Sequence, residues 1–312
     1  MVVFRKSMVA PFCLKCINFA AKFKIKFKLK LETMKRITTT FLFVSLFLCV
    51  YARGNAAESQ IQLVRNATLL IDYAGHHILL DPMLSPKGAL GSVRGKVKTP
   101  MVELPMKVDE ITKGLDLILV THAHVDHFDP TAAAVLDKSL KLFGQQADEQ
   151  YFLNCNFWNA EAIADSVLYD GITIIRTDAQ HGTGRMLKNM GDASGFVLKA
   201  SGHPTVYIIG DGVWTQGIAD NIGRYNPDYI VVNSGGAVMP GGYDATPIIM
   251  DERQVMALIQ ESGNAKIIAV HMDAVDHCLT TRAVLWNEAK KMNIGNDKLL
   301  VPEDGEIISL SK

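Results

Sequence analysis

The stretch ILVTHAHVDHFDP, residues 118–130, places three histidines and two aspartates directly after a short apolar run. An apolar run of this length and composition is typical of a strand that is buried on both faces. Asp129 followed by Pro130 predicts the start of a helix, with an N-cap residue and a proline in the first turn. The polar cluster is therefore expected in a loop between a buried strand and a helix.

Four side chains of this loop are of types that bind metal ions, and they fall within six residues: His122, His124, Asp126 and His127. Imidazole and carboxylate ligands suit Zn²⁺, and they also suit Mn²⁺ or Fe²⁺. The alternative is a polar surface loop without a role. Loops that are held by a rigid scaffold often carry function, so the pattern favours a metal site.

Polar residues follow other apolar runs in the same way. Four further apolar runs are each followed by a potential metal ligand. These residues are Asp81 in ILLDPM, His181 in DAQHGTG, Asp211 in YIIGDGVW and His271 in IIAVHMDAVDH. One histidine at a strand end is more often a hydrogen-bonded structural residue. Because several strand-like runs are each followed by a polar residue, the pattern favours one shared site at one rim of a sheet sandwich.

The chain from residue 58 onwards alternates strand-like and helix-like patterns. Residues 61–83 predict three strands, with a tight turn at Ala74 and Gly75. Residues 251–263 and 281–292 have the apolar periodicity of amphipathic helices. No repeat or low-complexity linker interrupts the pattern. We therefore expect a single α/β domain over residues 58–312.

The charge of the chain is zero overall but is unevenly distributed. Residues 1–57 carry 11 of the 32 Lys and Arg and one of the 32 Asp and Glu. The remainder is therefore acidic. Nucleic-acid binding needs clustered Lys and Arg for phosphate contacts. We expect a small-molecule substrate and no nucleic-acid partner, while the oligomeric state is left open.

Residues 34–57 have the pattern of a secretory signal peptide. Lys35 and Arg36 precede the apolar residues 37–51, and small residues at 54–57 offer a cleavage site. The apolar run is shorter than the ~20 residues of a membrane span, so no stable span is expected after signal removal. We predict export to the periplasm or the medium. A retained anchor is the alternative, and residues 1–33 are interpreted as an upstream or mis-started extension.

The motif THAHVDH, residues 121–127, resembles the H-x-H-x-D-H signature of the metallo-β-lactamase superfamily. His181, Asp211, His271 and Asp81 fall in the order of the remaining motifs of that superfamily. The body looks closest to the branch of L-ascorbate-6-phosphate lactonase-like hydrolases. The resemblance covers nearly all of residues 61–310. It implies a four-layer αββα sandwich in one domain, with a two-metal site at one edge.

The resemblance also implies a ligand set for two divalent metal ions, with zinc expected and manganese as the alternative. The first ion would take His122, His124 and His181. The second would take Asp126, His127 and His271. Asp211 would bridge the two ions, and Asp81 would orient the ligand loop by hydrogen bonds. The di-iron flavoprotein oxidoreductases of the superfamily usually have Glu at the position of His124, so the resemblance implies a hydrolase.

A metal pair would lower the pKa of a water so that hydroxide exists near neutral pH and attacks a carbonyl or phosphoryl centre. Asp126 would orient the nucleophile or move its proton. His277, six residues after His271, would donate a hydrogen bond to substrate or protonate the leaving group, or else be structural. The predicted function is an exported hydrolase of a small ester, lactone or phosphoester.

Two other functions stay open at the level of the sequence. One is a phosphodiesterase or phospholipase that resembles the N-acylphosphatidylethanolamine-hydrolysing members. The other is a protein that binds metal or ligand without turnover. Three features could shape substrate choice or be merely structural: Trp214, the Gly- and Pro-rich residues 233–247, and the pair Arg185 and Lys188.

Overall fold

The computed structural model describes residues 26, 30, 32, 35, 58–240 and 246–312. The predicted extension and signal peptide thus lie almost wholly outside the described residues. The chain divides into two compact units, residues 1–56 and 57–312. No helix within the described part of the chain is long and apolar enough to cross a membrane.

The described residues of the second unit form fourteen strands. They are β1 (Ser59–Arg65), β2 (Thr68–Tyr73), β3 (His76–Leu80), β4 (Leu117–Leu119), β5 (Lys141–Gly144), β6 (Ala160–Ala162), β7 (Ser166–Tyr169), β8 (Ile172–Ala179), β9 (Ala193–Lys199), β10 (Val206–Ile208), β11 (Tyr229–Asn233), β12 (Lys266–Val270), β13 (Leu299–Leu300) and β14 (Ile307–Leu310).

Seven α-helices lie between these strands in the described ranges. They are α1 (Val108–Ile111), α2 (Pro130–Val135), α3 (Glu149–Asn154), α4 (Gly184–Met190), α5 (Gln216–Tyr225), α6 (Glu252–Glu261) and α7 (Arg282–Lys291). A 3-10 turn, Gln146–Asp148, leads into α3.

The strands form two seven-stranded sheets. The first has the order β14-β1-β2-β3-β4-β5-β6, and the second has the order β13-β12-β11-β10-β9-β8-β7. In the first sheet, β3, β4, β5 and β6 are parallel neighbours. In the second, β10, β11, β12 and β13 are parallel neighbours. Each sheet therefore has four parallel strands at one end of its strand order, and the carboxyl ends of these strands share one edge.

The local structure predicted around residues 118–130 is confirmed. β4 lies between β3 and β5, and its residues are fully buried. Helix α2 begins at Pro130, and the Asp129 carboxylate accepts a hydrogen bond from the Ala132 backbone N–H at 2.7 Å. The three strands predicted over residues 61–83 are β1, β2 and β3, with Ala74 and Gly75 in the turn at positive φ.

Three apolar cores separate four layers. The central core packs side chains of one sheet against those of the other, for example Ile71 and Phe143 against Phe196. A second core lies between the second sheet and helices α5, α6 and α7. A third lies between the first sheet and helices α1, α2 and α3. Each sheet is covered on both faces, as parallel strands require, and the predicted αββα sandwich in a single domain is confirmed.

Candidate metal centre

The polar residues that follow the apolar runs meet at one edge of the sandwich. Residues 121–127 follow β4, and Asp81 follows β3 in the same sheet. In the opposite sheet, Asp211 and His271 follow the parallel strands β10 and β12. β8 runs in the direction of β10 because both are antiparallel to β9, so His181 emerges at the same edge.

The first group of side chains is His122, His124 and His181. Their ligand atoms lie within 4.8 Å of one another. His122 Nε2 and His124 Nδ1 are 2.8 Å apart. Three imidazole nitrogens that converge in this way are a typical zinc-binding arrangement.

The second group is Asp126, His127 and His271, whose ligand atoms also lie within 4.8 Å of one another. His271 Nε2 lies 3.3 Å from Asp126 Oδ2 and 3.2 Å from His127 Nε2. All of the predicted ligand side chains are thus brought to one place, although their coordination of a metal stays a prediction.

Asp211 lies between the two groups. Its Oδ2 is 3.5 Å from His181 Nε2 and 3.2 Å from His127 Nε2. Its Oδ1 is 3.7 Å from His271 Nε2. Gly210 makes this placement possible, since it has a φ of +75° and a Cβ there would lie 2.1 Å from the Ser194 carbonyl oxygen. One carboxylate with an oxygen toward each group has the geometry of a bridging ligand.

Asp81 orients His127, as predicted for it from the resemblance. His127 Nδ1 donates to Asp81 Oδ2 at 2.8 Å. The same carboxylate accepts from the Thr121 backbone N–H at 2.7 Å and from Thr121 Oγ1 at 2.8 Å. Because Nδ1 donates to Asp81, Nε2 is the nitrogen of His127 that points into the site.

His181 and His122 are oriented in the same way. His181 Nδ1 donates to the Ile248 carbonyl at 2.9 Å. His122 Nδ1 lies 3.2 Å from Thr121 Oγ1, whose own proton goes to Asp81. In both histidines the hydrogen bond leaves Nε2 free to accept, which is the tautomer that a metal ligand needs.

The charges in the site are set by burial and by mutual contacts. Burial acts to raise the pKa of Asp211 and Asp126, but neighbouring histidines, His127 first, hold both pKa values well below the usual range. Burial opposes the charge of His127, yet Asp211 and Asp81 raise its pKa to about 10. Burial lowers the pKa of His122 well below its usual value. The site therefore holds two carboxylates as anions.

The donor set fits divalent metal ions. The described ion pairs of Asp126 and Asp211 are all with imidazoles and include no Lys or Arg. Buried carboxylates are costly unless a cation compensates them. Neutral imidazoles and ionised carboxylates are the forms in which these side chains bind zinc or manganese. The cluster is therefore able to bind metal.

Backbone strain accompanies two of these residues. His271 has a φ of +64° and Asp81 a φ of +45°. A residue with a side chain in this region costs roughly 1–3 kcal/mol and needs support from its surroundings. The His271 N–H donates to the Asn66 carbonyl at 2.8 Å, and the Asp81 N–H donates to the Leu119 carbonyl at 3.0 Å. These bonds hold both side chains toward the site.

Three supporting residues were missed from the sequence. Asn233 Nδ2 donates to Asp211 Oδ1 at 2.7 Å. Asn66 Nδ2 donates to the Asp126 carbonyl at 3.1 Å. Cys278 Sγ lies 3.5 Å from His271 Nδ1. Asn233 ends the apolar run of β11, so the signal that identified Asp211 could have found it, whereas nothing in the pattern around Asn66 or Cys278 indicates a contact with the site.

A cavity of about 190 Å³ opens onto the cluster. Its polar lining is Thr99, His124, Asp126, His181, Asp211 and His277. Its other lining residues are Gly91, Val93, Val125, Met190, Met239, Ile248 and Val275. Lys and Arg are absent from this described lining. Away from the candidate metal centre the cavity is thus mainly apolar, with Thr99 and His277 as its polar lining residues.

His277 lies in the wall of this cavity and is 8% exposed. Its Nδ1 is buried and has no hydrogen-bond partner among the described residues. Burial lowers the pKa of His277, although Asp126 acts in the opposite direction. The imidazole is therefore neutral near pH 7, and no described residue uses its Nδ1.

The other candidate substrate residues have different positions. Met239 of the Gly- and Pro-rich segment lines the cavity. Trp214 packs against the core under helices α5 to α7 instead. Arg185 and Lys188 are exposed on α4 and are not part of the described cavity lining.

Comparison with known families gives one match that covers most of the domain. A family model described as a beta-lactamase superfamily domain matches residues 76–272. The chain is also 38% identical to the UPF0173 protein YddR of Bacillus subtilis over 252 residues, which is 79% of this chain and 98% of that protein.

Two crystal structures are similar over the whole of their chains. One, of a possible metal-dependent hydrolase from Veillonella parvula, has a TM-score of 0.77 and 35% identity over 81% of this chain. The other, of an isothiocyanate hydrolase from Delia radicum gut bacteria, has a TM-score of 0.76 and 34% identity over 81% of this chain. Neither these two nor the Bacillus relative is described as a lactonase, so the lactonase-like branch stays a prediction.

Proposed function

Because this chain belongs to the metallo-β-lactamase superfamily and to its UPF0173 metal-dependent hydrolases, we propose that it hydrolyses a small, uncharged, apolar substrate at a two-metal centre. One observation carries the choice of substrate. The cavity that opens onto the His and Asp cluster has an apolar lining without Lys or Arg among its described residues. Apart from the metal pair itself, a substrate with several charges would find no partner for them there.

The proposed centre uses the two groups described above. His122, His124 and His181 would hold one divalent ion, and Asp126, His127 and His271 would hold the other, with Asp211 shared. Zinc is the expected metal and manganese the alternative. When bound, such a pair supplies hydroxide near neutral pH and polarises the bond that is attacked.

The protein's own residues orient the reactants and handle protons. Asp126 lies at the cavity and is held as an anion, so its carboxylate can accept a hydrogen bond from the attacking nucleophile and orient it. His277 is neutral, and an imidazole in that form has one N–H to donate to the heteroatom of the substrate. The apolar walls exclude bulk water, which strengthens both interactions.

An isothiocyanate is the substrate that we propose first. The relative named isothiocyanate hydrolase shares 34% identity over its whole chain. An alkyl isothiocyanate is uncharged and carries an electrophilic carbon between nitrogen and sulfur. Addition of one water breaks the C–N bond, places two protons on nitrogen and releases a primary amine and carbonyl sulfide. An apolar cavity next to a hydroxide source suits this reaction.

Esters and lactones are the second candidate, because they are also uncharged and present a carbonyl carbon. The absence of Lys and Arg from the described lining argues against a phosphoester or a phospholipid headgroup, since only the proposed metal pair would be left to hold its charges. A purely binding role is disfavoured because both groups of potential ligands are complete and adjoin the cavity.

Metal analysis and a substrate screen test this proposal. The purified protein should hold about two metal ions per chain by mass spectrometry and should release amine from alkyl isothiocyanates. The screen includes lactones, carboxylic esters, and phosphate mono- and diesters. Faster turnover of phosphoesters than of every uncharged substrate would refute the substrate class, and a protein that binds no metal after reconstitution would refute the metal centre.

We also propose that the protein is exported, on the basis of the pattern at residues 34–57. Cleavage among the small residues should place the mature N-terminus near residue 57. N-terminal sequencing of the protein recovered outside the cytoplasm of its native host measures this directly. A chain that retains residues 34–51 in the recovered protein would contradict cleavage.

A further inference from the structure

One wall of the cavity is an exposed loop, residues 90–99, which we call the wall loop. Gly91, Val93 and Thr99 of this loop line the cavity. Leu90 and Thr99 close its base through two backbone hydrogen bonds of 2.7 Å and 3.2 Å. Residues 95–98 between them are exposed, so they bury no side chain that would fix the loop. Polar contacts, rather than apolar packing alone, must therefore hold residues 92–94 of the loop in place.

The Asp276 carboxylate supplies that attachment. Its Oδ1 accepts from the Val93 backbone N–H at 2.9 Å, and its Oδ2 accepts from the Arg94 backbone N–H at 3.1 Å. Ser92 Oγ also donates to Oδ2, and in turn accepts from the Lys96 N–H at 2.8 Å. Successive backbone N–H groups that surround one anion form a stable nest.

Asp276 joins two walls of the same cavity. Its neighbours in sequence, Val275 and His277, both line the same cavity as the wall loop. The carboxylate is 9% exposed. Although burial acts to raise it, the pKa of Asp276 is lowered because Ser92 and the backbone N–H groups donate to the carboxylate. The Asp276 carboxylate therefore links the wall loop to residues 275–277, which line the same cavity.

We propose that Asp276 is a positioning residue that sets which substrates fit, because it fixes the wall loop as an apolar side of the cavity. This inference rests on the proposed function only for the nature of the substrate. Asp276 has no place in the predicted chemistry. A fixed apolar wall gives binding energy for each methylene that it covers, up to about fourfold in affinity per CH₂.

The test compares Asp276→Asn with Asp165→Asn, a matched control at an exposed aspartate outside the described cavity lining. Asparagine has one oxygen, and its NH₂ group would face backbone N–H donors, so the nest opens. Val93→Ala is a third variant. It removes the side chain that lines the cavity and keeps the backbone hydrogen bonds to the Asp276 carboxylate. All three are examined as full-length, zinc-loaded proteins, with metal content measured first.

The probes are alkyl hydroxamic acids from acetyl to hexanoyl, which bind zinc whatever the natural substrate is. In the wild type and in Asp165→Asn, affinity by calorimetry should rise about two- to fourfold per methylene. In Asp276→Asn that gain should fall below about twofold, and amide hydrogen exchange over residues 90–99 should become at least about tenfold faster. Val93→Ala should lose chain-length dependence without faster exchange.

Kinetics separate positioning from general damage. On alkyl isothiocyanates, Asp276→Asn should raise KM for the longer chains about tenfold, with a smaller change in kcat. Unchanged loop exchange, or an unchanged gain per methylene in Asp276→Asn, would overturn the inference. If the wild type hydrolyses no isothiocyanate but shows the hydroxamate series as described, the proposed substrate fails while the role of Asp276 is supported.

Discussion

His122→Ala is expected to lose essentially all hydrolytic activity and at least one bound metal ion per chain. His122 is buried, and its Nε2 lies 2.8 Å from His124 Nδ1 and 3.9 Å from Asp211 Oδ2. Its loss removes one of the three imidazole donors of the first group, and His122 also has a ligand atom within 4.8 Å of those of His127 and Asp211. Residues that merely orient metal ligands typically cost 10- to 100-fold in affinity when mutated, so we expect a loss of more than about 100-fold here.

The measurement is metal content by mass spectrometry together with kcat/KM on the best substrate of the screen. His76→Ala is the matched control, because His76 begins β3 at the end of the strand opposite Asp81. That control should keep its metal and its activity. Circular dichroism shows whether both variants fold. Normal turnover and full metal content in His122→Ala would refute the assignment of residues 121–127.

His277→Phe is expected to reduce kcat about 100- to 1000-fold with little change in metal content. The residue adjoins the cavity, and its Nδ1 lacks a partner in the described structure. Removal of one well-placed hydrogen-bond donor to a developing negative charge typically costs this much. Phenylalanine keeps the volume and removes both ring nitrogens, so the change isolates the polar role.

His277→Gln distinguishes the two roles that the sequence left open. If the neutral imidazole acts as a hydrogen-bond donor, the glutamine amide should preserve kcat within about tenfold. If His277 transfers a proton, glutamine should be as damaging as phenylalanine. A wild-type kcat in both variants would show that His277 is structural.

The pH dependence of the wild type follows from the same group. Burial lowers the pKa of His277 below its usual value. The imidazole is therefore neutral above that lowered pKa, and it gains a proton only as the pH falls through it. If the neutral form is required, kcat should be flat across pH 7 and should decline on the acid side below pH 6.5. This acid decline should be altered in His277→Gln, which has no titrating ring.

Much of the fold could be predicted from local patterns. The apolar run before His122, the N-cap at Asp129 and the turn at Ala74 are each decided by neighbours in sequence, so the strand, helix and hairpin were predicted where they occur. The convergence of strand-end residues was also predictable, since the carboxyl ends of parallel strands share an edge. These residues follow the order of the metallo-β-lactamase superfamily motifs, and that resemblance completed the predicted ligand set.

Other parts of the site depend on contacts that the local pattern does not encode. Asn66 and His271 are 205 residues apart. The hydrogen bond from the His271 N–H to the Asn66 carbonyl could not be predicted from either stretch of sequence. The same holds for Asp276, whose partners on the wall loop lie more than 180 residues earlier in the chain. Such contacts depend on how the two sheets stack, which no local periodicity reports.

The sequence by itself thus determined the α/β alternation, the edge at which the polar residues gather and the chemical types of the candidate metal-binding side chains, while the four layers were implied by the resemblance to the superfamily. It did so because strand periodicity, capping and motif spacing are local properties. Only the tertiary structure decided which nitrogen of each histidine faces the site, that the cavity is apolar, and that one buried carboxylate holds its wall. These depend on burial and on hydrogen bonds between segments that are distant in sequence and meet only when both sheets have packed.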